Sequence, residues 1–179
     1  MIELNRFGLQ YLQDWFQQAD RKPLIIRGAR QVGKSTLVKL FAEQNKLTLL
    51  TLDFEQAPEH ADFFASKIPS TIVNLLSTKL SMPMDPKNTI LFLDEIQKTP
   101  EVIASLRYFY EQMPELGIIC AGSLLDLALE QINFSMPVGR VSYMFMGPMT
   151  FQEFLLALGH KQLVRFLNTY ALGDPIPGG

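Results

Sequence analysis

Five short apolar segments alternate with helical patterns along the chain, and this alternation is the feature that most restricts its fold. The five segments are residues 23–28 (PLIIRG), 47–53 (LTLLTLD), 89–95 (TILFLDE), 117–123 (GIICAGS) and 141–146 (VSYMFM). Nearly continuous apolar character is typical of parallel strands, which helices cover on both faces. The alternation therefore predicts an α/β fold with a five-stranded parallel sheet flanked by helices, and right-handed crossovers leave few ways to wind it.

Helical spacing of apolar residues marks the segments around these strands. An amphipathic helix is predicted over residues 4–19, with a stripe of six apolar side chains that we interpret as core packing; a partner-binding face is the alternative. The stripe consists of Leu4, Phe7, Tyr11 and Trp15, widened by Leu12 and Phe16. Further helices are predicted at residues 33–44, at two short stretches within 57–80, from Pro100 onward with a stripe of Val102, Leu106, Phe109 and Met113, and at 124–132, 151–158 and 161–171.

Two of these helices have recognisable N-terminal signals. Thr99 and Pro100 are predicted as the N-cap and the first helical residue of one helix. Thr150 and Glu153 have the spacing of a capping box at the start of another, on which Phe151, Phe154, Leu155 and Leu158 share one face.

Composition excludes several classes of protein. The 179 residues carry a net charge of -2, which gives no support for nucleic-acid binding. The single cysteine, Cys120, lies in an apolar run and is expected to be a buried core thiol, and two distant histidines offer no zinc spacing. With no signal-peptide pattern and no apolar run long enough to span a bilayer, a cytoplasmic protein is expected.

Residues 28–36, GARQVGKST, match the pattern G-x-x-x-x-G-K-[ST] of a phosphate-binding loop. A predicted strand precedes the match and a predicted helix follows it, as the chemistry of such a loop requires. We therefore predict that nine residues bind a nucleotide: Gly28, Ala29, Arg30, Gln31, Val32, Gly33, Lys34, Ser35 and Thr36. Lys34 is predicted to reach the β- and γ-phosphates, and the Ser35 hydroxyl to bind Mg²⁺.

A pair of carboxylates ends the third predicted strand. At the carboxyl end of a parallel strand, where open α/β sheets bind ligands, Asp94 suits the Mg²⁺ shell and Glu95 suits polarisation of an attacking water. Because adjacent strand residues point to opposite faces, we expect the two groups to have different tasks.

Other candidate residues keep two interpretations each. Ser123 ends the fourth strand and either senses the γ-phosphate or caps the following helix. Arg140 precedes the fifth strand and is either an arginine finger aimed at a neighbouring subunit or a solvated or ion-paired arginine. Arg30 lies inside the loop and is a candidate for a phosphate contact, and Gln97 touches either the water or the next helix. The element N-K-x-D of guanine-specific proteins is absent, since Asn45-Lys46-Leu47-Thr48 has Thr at its last position, so ATP is expected.

Taken together, GARQVGKSTL, LFLDEIQ, IICAGS, GRVSYMF and GPMTFQEF, in this order, resemble the predicted ATPases of bacteria and archaea in the AAA+ superfamily. The resemblance covers about residues 21–158. It implies a P-loop NTPase fold of the ASCE type with strand order 5-1-4-3-2, bound ATP and Mg²⁺, Lys34, Ser35 and Asp94 on phosphates and metal, and Glu95 as the base. It also implies that Ser123 occupies a sensor position and Arg140 the position of a finger.

The resemblance also shapes the expected domain organisation. We expect one ATPase domain over residues 1–179, with an N-terminal helix at 1–20, a nucleotide-binding core at 21–148 and the start of a lid or linker at 149–179. Members of the family usually continue into a C-terminal domain, which is expected to be missing here and to be supplied by a longer chain or a partner protein. A homo-oligomer is possible.

The leading hypothesis is an ATP-hydrolysing domain that drives an attached or partner module. A nucleotide-binding switch or scaffold with little turnover is the second. A small-molecule kinase is disfavoured by the Asp94–Glu95 pair, which suits activation of water.

Overall fold

The computed structural model describes residues 6–123, 125, 137 and 139–171. Its strands are β1 (Leu24–Arg27), β2 (Thr48–Asp53), β3 (Thr89–Asp94), β4 (Gly117–Gly122) and β5 (Ser142–Phe145). Its α-helices are α1 (Phe7–Phe16), α2 (Lys34–Gln44), α3 (Pro69–Lys79), α4 (Pro100–Gln112), α5 (Phe151–Ala157) and α6 (Lys161–Thr169). Segments of 3₁₀ helix cover Pro58–Phe64 and Ile96–Lys98. The predicted helix at 124–132 lies outside the described residues, apart from the buried Leu125.

The strands form one parallel sheet in the order β2-β3-β4-β1-β5. Read from the other edge, this is the predicted order 5-1-4-3-2, and the prediction of an α/β P-loop NTPase fold is confirmed. Because all five strands run in the same direction, the segments that follow β1, β3 and β4 all begin at the same side of the sheet, where the strands have their carboxyl ends. Those three strands are neighbours, so the segments that follow them are brought together.

Helices cover both faces of this sheet. Leu24 and Ile26 of β1 face a core built with α1 and α2, whereas Ile25 faces a second core built with α3 and α4. Cys120 lies fully buried in the second core, and burial raises the pKa of its thiol well above the usual range. The expectation of a buried core thiol is confirmed.

The interpretation of the N-terminal stripe as core was wrong for two of its members. Phe7 and Tyr11 are 53% and 42% exposed, whereas Leu12 and Trp15 are buried. Helix α1 instead packs through a face that starts at Gly8, where a Cβ would come within 2.9 Å of Leu37 and 2.7 Å of Met144. Without a side chain at that position α1 approaches α2 and β5 closely, and Phe7 and Tyr11 lie on its outer side. Leu4, also part of the stripe, lies outside the described residues.

The two helix starts differ in how well they match prediction. Thr99 occupies the N-cap position of α4, but its hydroxyl donates to the Ile96 carbonyl at 3.3 Å and does not cap the helix. Thr150 and Glu153 form the predicted capping box of α5. The face of α5 that carries Phe151, Phe154 and Leu158 is exposed, and Leu155 is buried.

Glu153 also joins the start of α1 to the start of α5. Its side chain is 4% exposed, and it accepts hydrogen bonds from the Arg6 guanidinium (3.1 Å), the Phe7 amide (2.9 Å) and the Thr150 amide (2.8 Å). Burial raises the pKa of this carboxyl, but the donors outweigh burial and hold its pKa below the usual range. The start of α1 is therefore fastened to the start of α5 through one ionised carboxylate.

Replacing this carboxylate by an amide tests its contribution to stability. Glu153→Gln is expected to lower the free energy of unfolding by about 2 kcal/mol at pH 7, because an amide group cannot accept all three hydrogen bonds. A carboxyl whose pKa is lowered by folding stabilises the protein above its unfolded pKa of about 4.3, and this contribution is lost as the pH falls through the folded pKa. Urea unfolding is measured at pH 7 and below pH 4. The difference in free energy of unfolding between the wild type and Glu153→Gln should be smaller at the lower pH.

The exposed Glu43 of α2 provides the matched control. Glu43→Gln is expected to change the free energy of unfolding by less than about 0.5 kcal/mol at either pH. A penalty for Glu153→Gln that does not change with pH would contradict an ionised Glu153.

Candidate functional site

The predicted phosphate loop leaves β1 at Gly28 and enters α2 through Gly33. At Gly28, a Cβ would stand 2.1 Å from the carbonyl oxygen of Met146, so only glycine allows the loop to pass so close to the chain that leaves β5. Gly33 has φ 94°, in the left-handed region that favours glycine, and is the residue before the first turn of α2. Glycine is thus required at the two positions for different reasons: a close backbone approach at Gly28 and a left-handed backbone at Gly33.

Lys34 lies inside the curve of this loop. Its Nζ donates to the carbonyl oxygens of Gly28 (3.0 Å) and Ala29 (2.8 Å), and the residue is 7% exposed. Burial lowers the pKa of the Lys34 ammonium, while the nearby Glu95 and Asp94 carboxylates oppose this effect. A buried ammonium held by two loop carbonyls is a suitable partner for an anion that enters the loop.

Ser35 and Asp94 connect the loop to the end of β3. The Ser35 hydroxyl donates to Asp94 Oδ2 at 2.6 Å, and the Glu95 amide donates to Oδ1 at 3.1 Å. Burial raises the pKa of Asp94, and the two hydrogen bonds act in the opposite direction. Two residues 59 positions apart are thereby joined at the carboxyl edge of the sheet.

Glu95 does not continue β3. The strand ends at Asp94, and Glu95 takes a left-handed conformation with φ 52°. The expectation that the two carboxylates point to opposite faces of a strand therefore fails, because both line the same pocket. Glu95 Oε2 accepts hydrogen bonds from the Ser123 hydroxyl (3.3 Å) and from Nε2 of Gln97.

Two adjoining pockets surround the loop. The first, of about 550 Å³, is polar and is lined by Lys34, Ser35, Asp94 and Glu95. The second, of about 470 Å³, is mainly apolar. Its lining includes Arg6, Val32, Leu37, Leu40, Pro148 and Met149. Four residues line both pockets: Arg30, Gln31, Gly33 and Thr36.

Arg6 is the part of this region that the sequence patterns missed. Its guanidinium donates to the Val32 carbonyl in the loop (3.1 Å), to the Gly147 carbonyl (2.9 Å) and to Glu153. In the sequence, Arg6 falls at the start of an amphipathic helix, where a charged residue is ordinary. The capping-box position of Glu153 was the one available signal for this contact.

The two candidate arginines, Arg30 and Arg140, each pair with a glutamate at the surface. Arg30 lines the polar pocket but is largely exposed and pairs with Glu55 at 3.2 Å. Arg140 precedes β5 and so lies at the amino ends of the strands, whereas the loop lies at their carboxyl ends. There it pairs with Glu111 at 2.8 Å. Within one subunit the structure therefore does not bring Arg140 to the loop. Its role toward a neighbouring subunit stays a prediction.

The donor set fits a magnesium ion. Mg²⁺ prefers oxygen ligands and usually keeps several waters, binding through one or two protein oxygens and the phosphates of a substrate. Ser35 Oγ and Asp94 Oδ2 supply two adjacent oxygens in the polar pocket. Within the described part of the chain, no group of three or more His, Cys, Asp or Glu side chains is arranged to hold a metal without such help.

Comparison with known families agrees with this geometry. A family model described as an AAA domain matches residues 20–155, which is most of the chain. The match includes every residue that lines the two pockets except Arg6. The chain belongs to the AAA domain family. It is therefore a nucleotide-binding domain of the AAA type. None of the curated proteins gives a significant match. In the described residues of this AAA domain, the helices are too short or too polar to cross a membrane.

Gly28→Ala tests the close approach between the loop and the chain after β5. The added Cβ would overlap the Met146 carbonyl oxygen, so we expect the loop to move and nucleotide affinity to fall by about tenfold or more. Gly159→Ala makes the same change between α5 and α6, at a residue that lines neither pocket and where a Cβ meets no atom within 4 Å; its φ of 84° costs some stability, but its nucleotide affinity should match the wild type. Equal affinities in all three proteins, measured by calorimetric titration with ATP, would contradict the assigned loop geometry.

Proposed function

We propose that this AAA domain binds ATP with Mg²⁺, hydrolyses it, and uses the cycle to drive an attached or partner module. The observation that carries the proposal is the grouping of Lys34, Ser35, Asp94 and Glu95 in one polar pocket at the carboxyl edge of the sheet. A second pocket adjoins it, so an elongated ligand with a charged end and an apolar end fits the cleft.

Each end of ATP matches one of the two pockets. The triphosphate suits the polar pocket, with the loop amides and Lys34 around the β- and γ-phosphates. The flat adenine ring suits the apolar pocket between Val32 and the Pro148–Met149 segment. Guanine is disfavoured because the chain lacks an N-K-x-D element, and the Asn45 side chain instead donates to the Phe41 carbonyl at 2.9 Å.

Ser35 and Asp94 would hold the metal, because their oxygens already lie together beside the loop. When bound, Mg²⁺ neutralises charge that develops on the β- and γ-phosphate oxygens. Lys34 places a second positive charge on the same phosphates. Since phosphoryl transfer depends mostly on positioning and charge stabilisation, these three residues would set the electrostatics of the step.

Glu95 would orient the attacking water and accept its proton. Its left-handed backbone turns the carboxylate from the strand into the polar pocket. Ser123 and Gln97 both donate to Oε2 and would therefore fix the carboxylate while Oε1 faces the water. Ser123 would thus act through Glu95, and the hydrogen bond between them supports this proposed role.

Glu95→Gln is the decisive substitution for hydrolysis. The amide cannot accept the proton of the water, so we expect phosphate release to fall by about 100-fold or more while ATP affinity changes little. Phosphate release and ATP binding are measured on the same preparations, with Mg²⁺ present.

Lys34→Ala provides the binding control, because it removes the buried ammonium and should weaken ATP binding by about tenfold or more. Retained affinity in Lys34→Ala would refute the assignment of the loop. Equal ATP binding without phosphate release in both the wild type and Glu95→Gln would refute hydrolysis by this chain.

The second candidate function, a nucleotide-dependent switch, is favoured by one observation. Both donors on Glu95 converge on the same carboxylate oxygen, so the group is restrained before a substrate is engaged. Gln97→Ala would release one restraint. A rise in phosphate release in this variant supports a switch that holds turnover low, whereas a fall supports an orienting role for Gln97.

Arg140 is proposed to act on the nucleotide of a neighbouring copy. It lies at the surface and its ion pair with Glu111 has both side chains about half exposed, so the guanidinium is available for exchange of partners. Arg140→Ala is expected to lower turnover at concentrations where the protein self-associates and to leave turnover of the monomer unchanged. Glu111→Ala breaks the same ion pair without removing the guanidinium, so a matching loss in that variant would contradict a finger acting in trans.

A further inference from the structure

We propose that Arg6 is a positioning residue that sets the width of the apolar pocket. It thereby determines the affinity of the domain for the base of the nucleotide. This inference rests on the proposed binding of ATP. It adds a role for a residue outside the phosphate loop and outside the strand ends. The observation that carries it is that one guanidinium bridges the two walls of the apolar pocket.

The guanidinium of Arg6 is engaged on all three of its nitrogens. Nη1 donates to the Val32 carbonyl at 3.1 Å, Nη2 to the Gly147 carbonyl at 2.9 Å, and Nε to Glu153 at 3.1 Å. The side chain is 11% exposed. A planar group bound in three directions has little freedom to move, so it can serve as a rigid spacer.

The two carbonyl partners belong to opposite walls of the pocket. Val32 is part of the phosphate loop, whereas Gly147 directly precedes Pro148 and Met149. The distance between these walls determines whether a flat aromatic ring is held on both faces. Arg6 is thus a side-chain link between the loop that would hold the phosphates and the segment that would cover the base.

Glu153 keeps Arg6 in this position. It is buried, accepts the Nε hydrogen bond, and is itself fixed by the amides of Phe7 and Thr150. Its charge also balances that of the guanidinium, so Arg6 is not a free cation for the phosphates. The effect of Arg6 should therefore fall on the base end of the ligand and much less on the triphosphate end.

The test compares two ligands in four proteins by calorimetric titration in the presence of Mg²⁺. The ligands are ATP and inorganic tripolyphosphate, and the proteins are the wild type, Arg6→Ala, Arg6→Lys and Arg21→Ala. For Arg6→Ala we expect the Kd for ATP to rise about tenfold and the Kd for tripolyphosphate to change less than about threefold. Arg6→Lys retains a charge beside Glu153 but cannot bridge both carbonyls, and it should shift the ratio of the two Kd values in the same direction.

Arg21 is the matched control because its guanidinium also binds backbone carbonyls, those of Phe16 (2.6 Å) and Glu115 (2.7 Å), at the other edge of the sheet. Arg21→Ala should leave the ratio unchanged even if it lowers the melting temperature. An unchanged ratio in Arg6→Lys, or the same shift in Arg21→Ala, overturns the proposal while ATP binding by the wild type stands. A wild type that does not bind ATP overturns the proposed function and this inference together.

Discussion

The contact between Gly28 and the chain after β5 determines where the phosphate loop lies. The Met146 amide donates to the Arg27 carbonyl at 2.8 Å, and the Met146 carbonyl oxygen occupies the space that a Cβ at Gly28 would need. The first residue of the loop, Gly28, is therefore held against the end of β5. Residues 147–149 continue from the same contact and become a wall of the apolar pocket, so this close approach and the Arg6 hydrogen bonds to Val32 and Gly147 together position that wall against the loop.

The parallel sheet supplies the chemistry from the other side. Because β3, β4 and β1 are adjacent and run in one direction, Asp94, Ser123 and the loop emerge at the same edge. The 2.6 Å hydrogen bond from Ser35 to Asp94 shows how closely the loop approaches β3. Glu95 joins this group through a left-handed turn rather than through strand geometry. The fold thus brings the phosphate loop, the end of β3 and the residue after β4 together at one polar pocket.

The sequence predicted the parts of this arrangement that depend on local patterns. Apolar alternation gave the strands, and the spacing of Gly28, Gly33 and Lys34 located the loop. It could not predict which way α1 faces, because the close approach at Gly8 depends on Leu37 and Met144, which are distant in sequence. The turn at Glu95 was missed for a related reason, since a run of strand residues does not show where pairing stops.

Arg6 illustrates the limit of motif reasoning most clearly. Its partners Val32, Gly147 and Glu153 are 26, 141 and 147 positions away, and none of these separations forms a recognisable pattern. Only the folded chain shows that Arg6 reaches the phosphate loop. The site is therefore wider than its motifs, because it includes the segments before β1 and after β5.

A crystal structure with Mg²⁺ and a non-hydrolysable ATP analogue tests the central claim most directly. The account predicts phosphates beside Lys34, a metal about 2.1 Å from oxygens of Ser35 or Asp94, and the adenine ring between Val32 and Met149. An analogue bound elsewhere on the chain, or a metal that contacts neither Ser35 nor Asp94 directly or through its waters, would contradict it.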